Sequence, residues 1–493
     1  MNQLFYGDNL EIMRKFIKDE SVDLCYIDPP FNSKRTYNQI YMNTGKETAQ
    51  VRSFIDTWRW DSAASNGYDE IISNSRGIFT IQTIELISAL RKVLGQGSLL
   101  AYLISLALRV SEIQRILKPT GSFYLHCDTT CGHYIKILLD SVFISKGGDI
   151  RNEIIWAYSR MAANGQKQLS RCHDTIFWYA KGKKWTFNVD KIRLPYSESS
   201  KARAGYKKTN LGGGSPKSEI CELNEKGKFP EDWIQIPFLR GKEYLGYQTQ
   251  KPESLLERII LASSNEGDVV FDAYCGCGTT VAVSQKLKRK WIGIDISYQA
   301  ISLIIKRLEN TFDTELLDEI NFHGIPIDFD SAVALANKKD DRLRKEFEKW
   351  AVLTYTNNRG MIHEKKGGDG GIDGIAKIVD IDANNQQIDS QIIFSVKSNK
   401  TLSPNIIREL FGTVERENAS MGYLITLYPM DNLIKETKKY GSYHNVLLGK
   451  TFDKIQIVSI KDILDGKRLE IPSIGILKKA EYKGLNKQLK IGE

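Results

Sequence analysis

Short apolar bursts, each stopped by a turn and followed by helical spacing, recur along the first two-thirds of the chain. Leu4-Phe5-Tyr6 is the first burst; Gly7-Asp8-Asn9 then makes a turn and a helix cap before the helical run Leu10 to Ile17. The β-rich run Val22 to Ile27 ends at Pro29-Pro30, which puts Asp28 at the C-terminal tip of a strand. From Asn32 to Gly67 the chain is polar without sustained periodicity. It carries Lys34, Arg35, Trp58 and Trp60, and it reads either as a mobile loop beside that tip or as an insertion with two packed tryptophans. Helical periodicity from Ile71 to Leu117 stops at Lys118-Pro119-Thr120-Gly121. Strand Ser122–His126, helix Tyr134–Phe143 and strands Glu153–Tyr158 and Thr175–Ala180 come next.

After a block of different character from Lys181 to Tyr247, the alternation resumes. Pro252 opens an amphipathic helix over Glu253–Ala262 from its first turn. A strand ending at Asp272, a glycine loop, a helix over Val281–Leu287, a strand ending at Asp295 and a helix to Leu308 complete an α/β unit. The pattern breaks around Asn321 to Asp330, and a second region begins. There, Asp341–Leu353 is a charged amphipathic helix, and Gly367 to Gly374 leads into strand Ile375–Ile381. Strand Ile392–Lys397, helix Asn405–Asn418 and strand Tyr423–Leu427 follow.

Composition adds three bounds. At 493 residues the chain exceeds a single core, so two or three domains are expected. A formal net charge of +9 favours a polyanionic partner. The seven cysteines are scattered and odd in number, which points to a reducing cytoplasm and not to a disulfide framework. The most apolar run, Ser98 to Val110, is too short to span a bilayer, so no membrane association is expected. His126, Cys127, Cys131 and His133 lack the paired blocks of a zinc site and read as local structure.

Two stretches carry chemistry. Asp28-Pro29-Pro30-Phe31 combines a carboxylate acceptor, a stiffened backbone and an aromatic platform, which suits a planar base bearing an exocyclic amino group. Phe271 to Gly278, with Asp295 at the next strand tip, is built like a nucleoside site: Gly276 and Gly278 permit close approach, and Asp295 can accept from ribose hydroxyls. The third glycine of a dinucleotide fingerprint is replaced by Thr279-Thr280, so a ligand without pyrophosphate fits better.

Together these stretches resemble the amino-methyltransferases of DNA, in the motif order of their β class, where the catalytic motif precedes the cofactor loop. Tyr6 to Leu10, Leu125 to Asp128, Arg151 to Trp156, His173 to Phe177 and Thr249 to Pro252 extend the resemblance. It implies a Rossmann-like, S-adenosylmethionine-dependent α/β fold in permuted order. It further implies a site-specific enzyme that methylates a flipped base in double-stranded DNA. Asp28, Pro29, Pro30 and Phe31 would be catalytic. Asp8, Lys251, Asp272, Ala273, Cys275, Gly276, Gly278, Thr279, Thr280 and Asp295 would hold the cofactor, with no metal. Aspartate at the first motif position leans toward adenine N6 in that family, with cytosine N4 the rival. Lys34, Arg35, Lys207, Lys208, Lys217 and Arg240 are candidates for DNA contact, most of them within the interval that holds target recognition. The implied division is 1–180 and 248–325 for the two halves of the methyltransferase and 181–247 for recognition. The implied setting is a prokaryotic cytoplasm, with a homodimer left open.

The remaining part, 332–493, resembles the PD-(D/E)xK nuclease fold, nearest to Mrr-type restriction endonucleases. Asp373 would be the acid and Lys397 the lysine of a Mg²⁺ site. Two positions before the lysine that family carries an acid or amide, whereas this chain has Ser395. A neutral hydroxyl is a poor magnesium ligand, so the sequence alone predicts little cleavage. A single-chain restriction–modification enzyme remains the alternative.

Overall fold

The computed structural model describes residues 2–31, 36–42, 48–55, 58–159, 169–202, 204, 223–239, 243–245, 247, 249–312, 314–326, 328–337, 341–356, 360–362, 371–381, 387–446 and 448–471. All six basic residues singled out for DNA contact (Lys34, Arg35, Lys207, Lys208, Lys217, Arg240) lie outside the described residues.

Nine strands form the larger sheet: β1 (Asn2–Tyr6), β2 (Val22–Ile27), β3 (Leu117–Cys127), β4 (Asp149–Ala157), β5 (His173–Ala180), β6 (Trp233–Gln235), β7 (Val269–Asp272), β8 (Lys290–Asp295) and β9 (Ile320–His323). Their spatial order is β9-β1-β8-β7-β2-β3-β5-β4-β6. Every pairing is parallel except the two made by β5, which runs antiparallel to β3 and to β4. The parallel strands therefore end at one edge. The C-terminal ends of β1, β2, β7 and β8 each bring one aspartate to that edge: Asp8 and Asp28 just beyond β1 and β2, Asp272 and Asp295 as the last residues of β7 and β8.

The helices follow the predicted α/β alternation, with local differences. The helical run predicted over Ile71–Leu117 is interrupted at Gly95, which adopts a positive φ of 64° that glycine alone takes without strain. Helices Ile81–Leu94 and Ser98–Ile116 lie on either side of the break. Pro252 sits one residue before its helix, at the N-cap of Glu253–Ser263. The polar stretch after Phe31 holds an antiparallel hairpin, Thr36–Met42 with Thr48–Ile55, which the lack of alternation had concealed. Beyond it, the Trp58 ring packs edge-on against Tyr102, and the Arg91 guanidinium covers Trp60 and Tyr68. The tryptophans are packed.

The smaller sheet joins β10 (Met361–Ile362), β11 (Gly374–Ile381), β12 (Gln387–Lys397), β13 (Met421–Thr426) and β14 (Ile455–Ser459) in sequential order. Its core is continuous with the first. Tyr298, Ile301, Ile304 and Leu308 of helix α1 (Tyr298–Thr311) share one cluster with Phe347, Trp350, Ala351 and Leu353 of helix α2 (Asp341–Tyr355), and that cluster reaches Phe394 and Tyr423 of the small sheet. Polar contacts cross the same boundary. The Tyr298 N–H donates to Glu346 Oε2 at 2.9 Å, and the Tyr298 hydroxyl lies 3.3 Å from Thr354 Oγ1. No helix among the described residues is long and apolar enough to cross a membrane.

Candidate active site

Asp28 leaves β2 at the common edge, where Pro29 is buried and the Phe31 ring follows. Its Oδ2 is held by the Lys251 ammonium, from a loop more than two hundred residues away, and the same ammonium stands 5.4 Å from the centre of the Phe31 ring. Asp28 Oδ1 is buried and has no hydrogen-bond partner among the described residues. A buried acceptor left open costs free energy until a donor arrives, which marks this oxygen as the place for an incoming N–H. Lys251, expected among the cofactor contacts, is thus placed against the Asp28 carboxylate.

Behind Phe31 lies a chain of hydrogen bonds that the residue pattern did not reveal. The Tyr26 hydroxyl is 3.0 Å from His126 Nδ1, His126 Nε2 is 3.1 Å from Asp174 Oδ2, and the Tyr158 hydroxyl donates to Asp174 Oδ1 at 2.9 Å. Burial alone would raise the Asp174 carboxyl, but the His126 and Tyr158 bonds and the nearby Lys251 charge bring it below its ordinary value. The His126 ring stacks with Phe31, with centroids 6.0 Å apart, and the Cys131 thiol donates to the Phe31 carbonyl at 3.6 Å. These contacts fix the aromatic platform in one orientation. His126 and Asp174 stood in landmark stretches, yet nothing local tied them together.

The second half of the site is the loop after β7. Asp272 is 3% exposed and accepts from the Tyr274 N–H at 2.9 Å. Burial pushes its carboxyl up to about 7, opposed by the Thr280 hydroxyl and the Tyr274 N–H and reinforced by the charges of Asp28 and Asp295. Asp295 accepts from the Gly276 N–H at 2.8 Å and the Ser297 N–H at 2.9 Å, and burial lifts it to about 6. Asp28 is compensated by Lys251, so Asp272 and Asp295, when ionised, make the anionic edge that favours a cationic ligand.

The glycines answer first to the protein itself. Gly276 has φ +52° and Gly278 φ +76°; a Cβ on Gly276 would sit 3.2 Å from the Tyr247 ring, and one on Gly278 2.7 Å from Ile304. Thr279 is buried, with its hydroxyl donating to the Lys251 carbonyl at 3.3 Å. Buried Arg307 braces the loop from beneath, donating to the Cys277 carbonyl (3.3 Å), to Thr279 Oγ1 (3.1 Å) and to Glu253 (2.5 Å). Ala273 is buried, its carbonyl accepting from Asn9 Nδ2 at 2.8 Å, and the Cys275 thiol turns inward against Gly293. Asp8 caps the helix Asn9–Phe16 through Oδ1 and pairs with Arg109 at 2.8 Å through Oδ2. Arg109 and Arg307 were not singled out by the sequence, because their partners are far away along the chain.

A family model described as DNA methylase matches residues 22–306, from β2 through the glycine loop after β7 and into α1. The chain belongs to that family. A second model, described as Restriction endonuclease, matches residues 343–448 of this methylase, most of the smaller lobe. The DNA adenine methyltransferase YhdJ of Escherichia coli (strain K12) is 28% identical over 308 residues, covering 62% of this chain and 82% of that protein. The Type II methyltransferase M.HpaI of Haemophilus parainfluenzae is 33% identical over 205 residues, covering 41% of this chain and 58% of that protein. Among solved structures, the M1.HpyAVI–SAM complex aligns at 19% identity with a TM-score of 0.37, covering 62% of this chain and 99% of that one. The PvuII DNA methyltransferase (cytosine-N4-specific) aligns at 16% identity with a TM-score of 0.39, covering 65% of this chain and 91% of that one.

Proposed function

We propose that this methylase transfers a methyl group from S-adenosylmethionine to the N6 amine of an adenine flipped out of double-stranded DNA. The observation that carries the reading is the open, buried Asp28 Oδ1 beside the braced Phe31 ring. An amine inside a duplex is out of reach, so the base leaves the stack and enters the pocket. Phe31 stacks on it, Asp28 Oδ1 accepts one amine hydrogen, and the Pro29 carbonyl assists. Accepting that hydrogen would keep lone-pair density on nitrogen for attack on the methyl carbon, whose bond to sulfur would break with its electron pair and leave a neutral thioether. The proton leaves through the carboxylate or solvent as the positive charge on nitrogen is discharged. Catalysis here comes from positioning and fixed charge. Residues 1–180 and 248–325 form the methyltransferase, and the basic residues of 181–247, with Lys34 and Arg35, meet DNA.

The anionic edge suits the cofactor, whose sulfonium and ammonium are both positive. Asp295 would accept from the ribose hydroxyls, Asp272 would help to hold the cofactor, and Gly276 and Gly278 would let the backbone approach it. The aspartate at the motif's first position favours adenine over cytosine. Digestion of DNA methylated by the purified chain should yield N6-methyladenine; N4-methylcytosine alone would transfer the assignment to the rival base.

The raised carboxyls make the cofactor step sensitive to pH. With Asp272 at about 7 and Asp295 at about 6, the empty cleft binds protons that the unfolded chain has already released. The empty fold therefore loses stability as pH rises from the ordinary carboxylate range through those values. An arriving cation favours the carboxylates, so binding expels protons and tightens as pH rises through the same window. Calorimetry in buffers of differing ionisation enthalpy should show that release near pH 6.5 and its reduction to the Asp295 share in Asp272→Asn. A binding heat independent of buffer would remove Asp272 from the cofactor site.

A second activity is proposed for the smaller lobe, on the match to the restriction-endonuclease family and on the placement of Asp373. Its N–H donates to the Phe394 carbonyl at 2.9 Å and its Oδ2 accepts from the Val396 N–H at 2.6 Å, which pins it beside the strand end that carries Lys397. The pinned Asp373 beside Lys397 supports a reading in which this lobe would cleave phosphodiesters with Mg²⁺.

A further inference from the structure

Helix α1 ties the two halves of the cofactor cleft together, and its own start is held from the other lobe. Ser297, just before the helix, donates its N–H to Asp295 Oδ1 at 2.9 Å. Further along α1, Ile304 fills the space over Gly278, and Arg307 donates to the Cys277 carbonyl and to Thr279 Oγ1. A shift at the start of α1 therefore moves Asp295 and the glycine loop relative to each other.

The first N–H groups of a helix have no partner within it, and a side chain at the N-cap usually takes one of them. Ser297 occupies that position in α1 without making a side-chain cap bond. The Tyr298 N–H goes to Glu346 Oε2 at 2.9 Å, from α2, 48 positions away. Both residues are buried, so losing this acceptor would leave the N–H unpaired away from water. The other carboxylate oxygen, Oε1, is anchored by Lys349 at 2.8 Å, one turn along α2. An acid also suits the place electrostatically, because the start of a helix carries partial positive charge. The Glu346 charge is felt in the cleft, where it adds to the lift that burial gives the Asp295 carboxyl. Tyr6, at the end of β1, meets the Tyr298 ring edge-on, with centroids 5.9 Å apart; burial and then the same Glu346 charge push its hydroxyl upward.

We propose that Glu346 is a positioning residue of the cofactor cleft, capping α1 across the lobe boundary so that Asp295 and the Gly276–Gly278 loop keep the spacing that the cofactor requires. The methylase match ends at residue 306 and the restriction-endonuclease match begins at 343, so a residue of the second segment completes a site of the first. The smaller lobe thereby contributes to methyl transfer without touching either substrate. The inference rests on the placement of S-adenosylmethionine against Asp295.

The test is calorimetric titration of S-adenosylmethionine into the full-length chain and its Glu346→Ala, Glu346→Gln, Thr354→Val and Asp295→Ala variants, each well below its melting temperature. Methyl-transfer kinetics are measured alongside. The expected result is a cofactor Kd raised about tenfold in Glu346→Ala, with the loss in KM for the cofactor and not in kcat. Glu346→Gln should restore most of the affinity, because its amide oxygen still accepts the Tyr298 N–H. Should the alanine variant not fold, Glu346→Asp, which withdraws the oxygen by one methylene, is expected to weaken binding in the same direction. Thr354→Val removes the 3.3 Å hydroxyl contact of Tyr298 across the same boundary but spares the cap, and it should bind as the parent does. Equal losses in Glu346→Ala and Thr354→Val would make general loosening of the lobes the cause and overturn the cap. Equal losses in Glu346→Ala and Glu346→Gln would overturn it too, as would full affinity in Glu346→Ala beside weak binding in Asp295→Ala. Full affinity in Asp295→Ala would take the cofactor away from that strand end, and both readings would fall.

Discussion

Asp28→Ala lowers kcat for methyl transfer by at least about a thousandfold while S-adenosylmethionine still binds. Loss of one preorganised group aimed at developing charge commonly costs two to three orders of magnitude, or roughly 3–4 kcal/mol. Here the loss is compounded. Without the carboxylate, the buried Lys251 ammonium loses its direct partner and keeps only the nearby Asp174 charge, so it repels an amine that must become more positive. Asp28→Asn should fall between the two, because its carbonyl still accepts while its amide N–H₂ opposes Lys251. The cofactor loop, held by Arg307, Asn9 and Tyr247, does not depend on Asp28 and should keep its affinity. Labelled methyl transfer together with cofactor titration separates the two quantities. A variant that retains the full rate would end the catalytic assignment.

Trp350→Ala destabilises the whole molecule by about 3–5 kcal/mol, the usual cost of removing a fully buried tryptophan. Trp350 belongs to the smaller lobe by sequence and is 1% exposed, in the cluster that also contains Tyr298, Ile301 and Ile304. Those residues stand directly after Asp295 and beneath Gly278, where Ile304 sets the shape of the loop. The cavity left by the indole therefore opens within the apolar cluster that the two lobes share. Thermal inactivation of methyl transfer should move to lower temperature together with the melting of the smaller lobe. An unshifted methylase transition would show that the two lobes unfold separately.

The parts of this protein that could be read from its residues share one property: their cause is local. Two prolines stop β2 wherever the chain is placed, and glycines with positive φ turn the loop after β7, so both halves of the site were visible as strand tips. The partners of those tips were not. Lys251 reaches Asp28 across 223 positions and Arg109 reaches Asp8 across 101, and no spacing rule connects them. The hairpin after Phe31 lacks the alternation that marks a half-buried strand. The break near Asn321–Asp330 was legible as a change of pattern, but a change of pattern says nothing about packing. Phe322, Ile325 and Phe329 from that stretch lie against the shared cluster. The glycine loop was read as an opening for ligand, while Tyr247 and Ile304 show that its neighbours within the protein constrain it as well.

The hydrogen bond from Tyr298 to Glu346 and the common apolar cluster have a consequence for the fate of a damaged molecule. A cell that carries a DNA-cutting activity is endangered when the protecting activity fails first. Separate proteins of unequal lifetime run that risk whenever heat, dilution or proteolysis removes the protector. Here an insult that melts the cleft also withdraws Tyr298 from α2 and opens the wall behind Trp350. Under the endonuclease proposal, the lobe that would cut DNA is then lost together with the methylase lobe on which it packs.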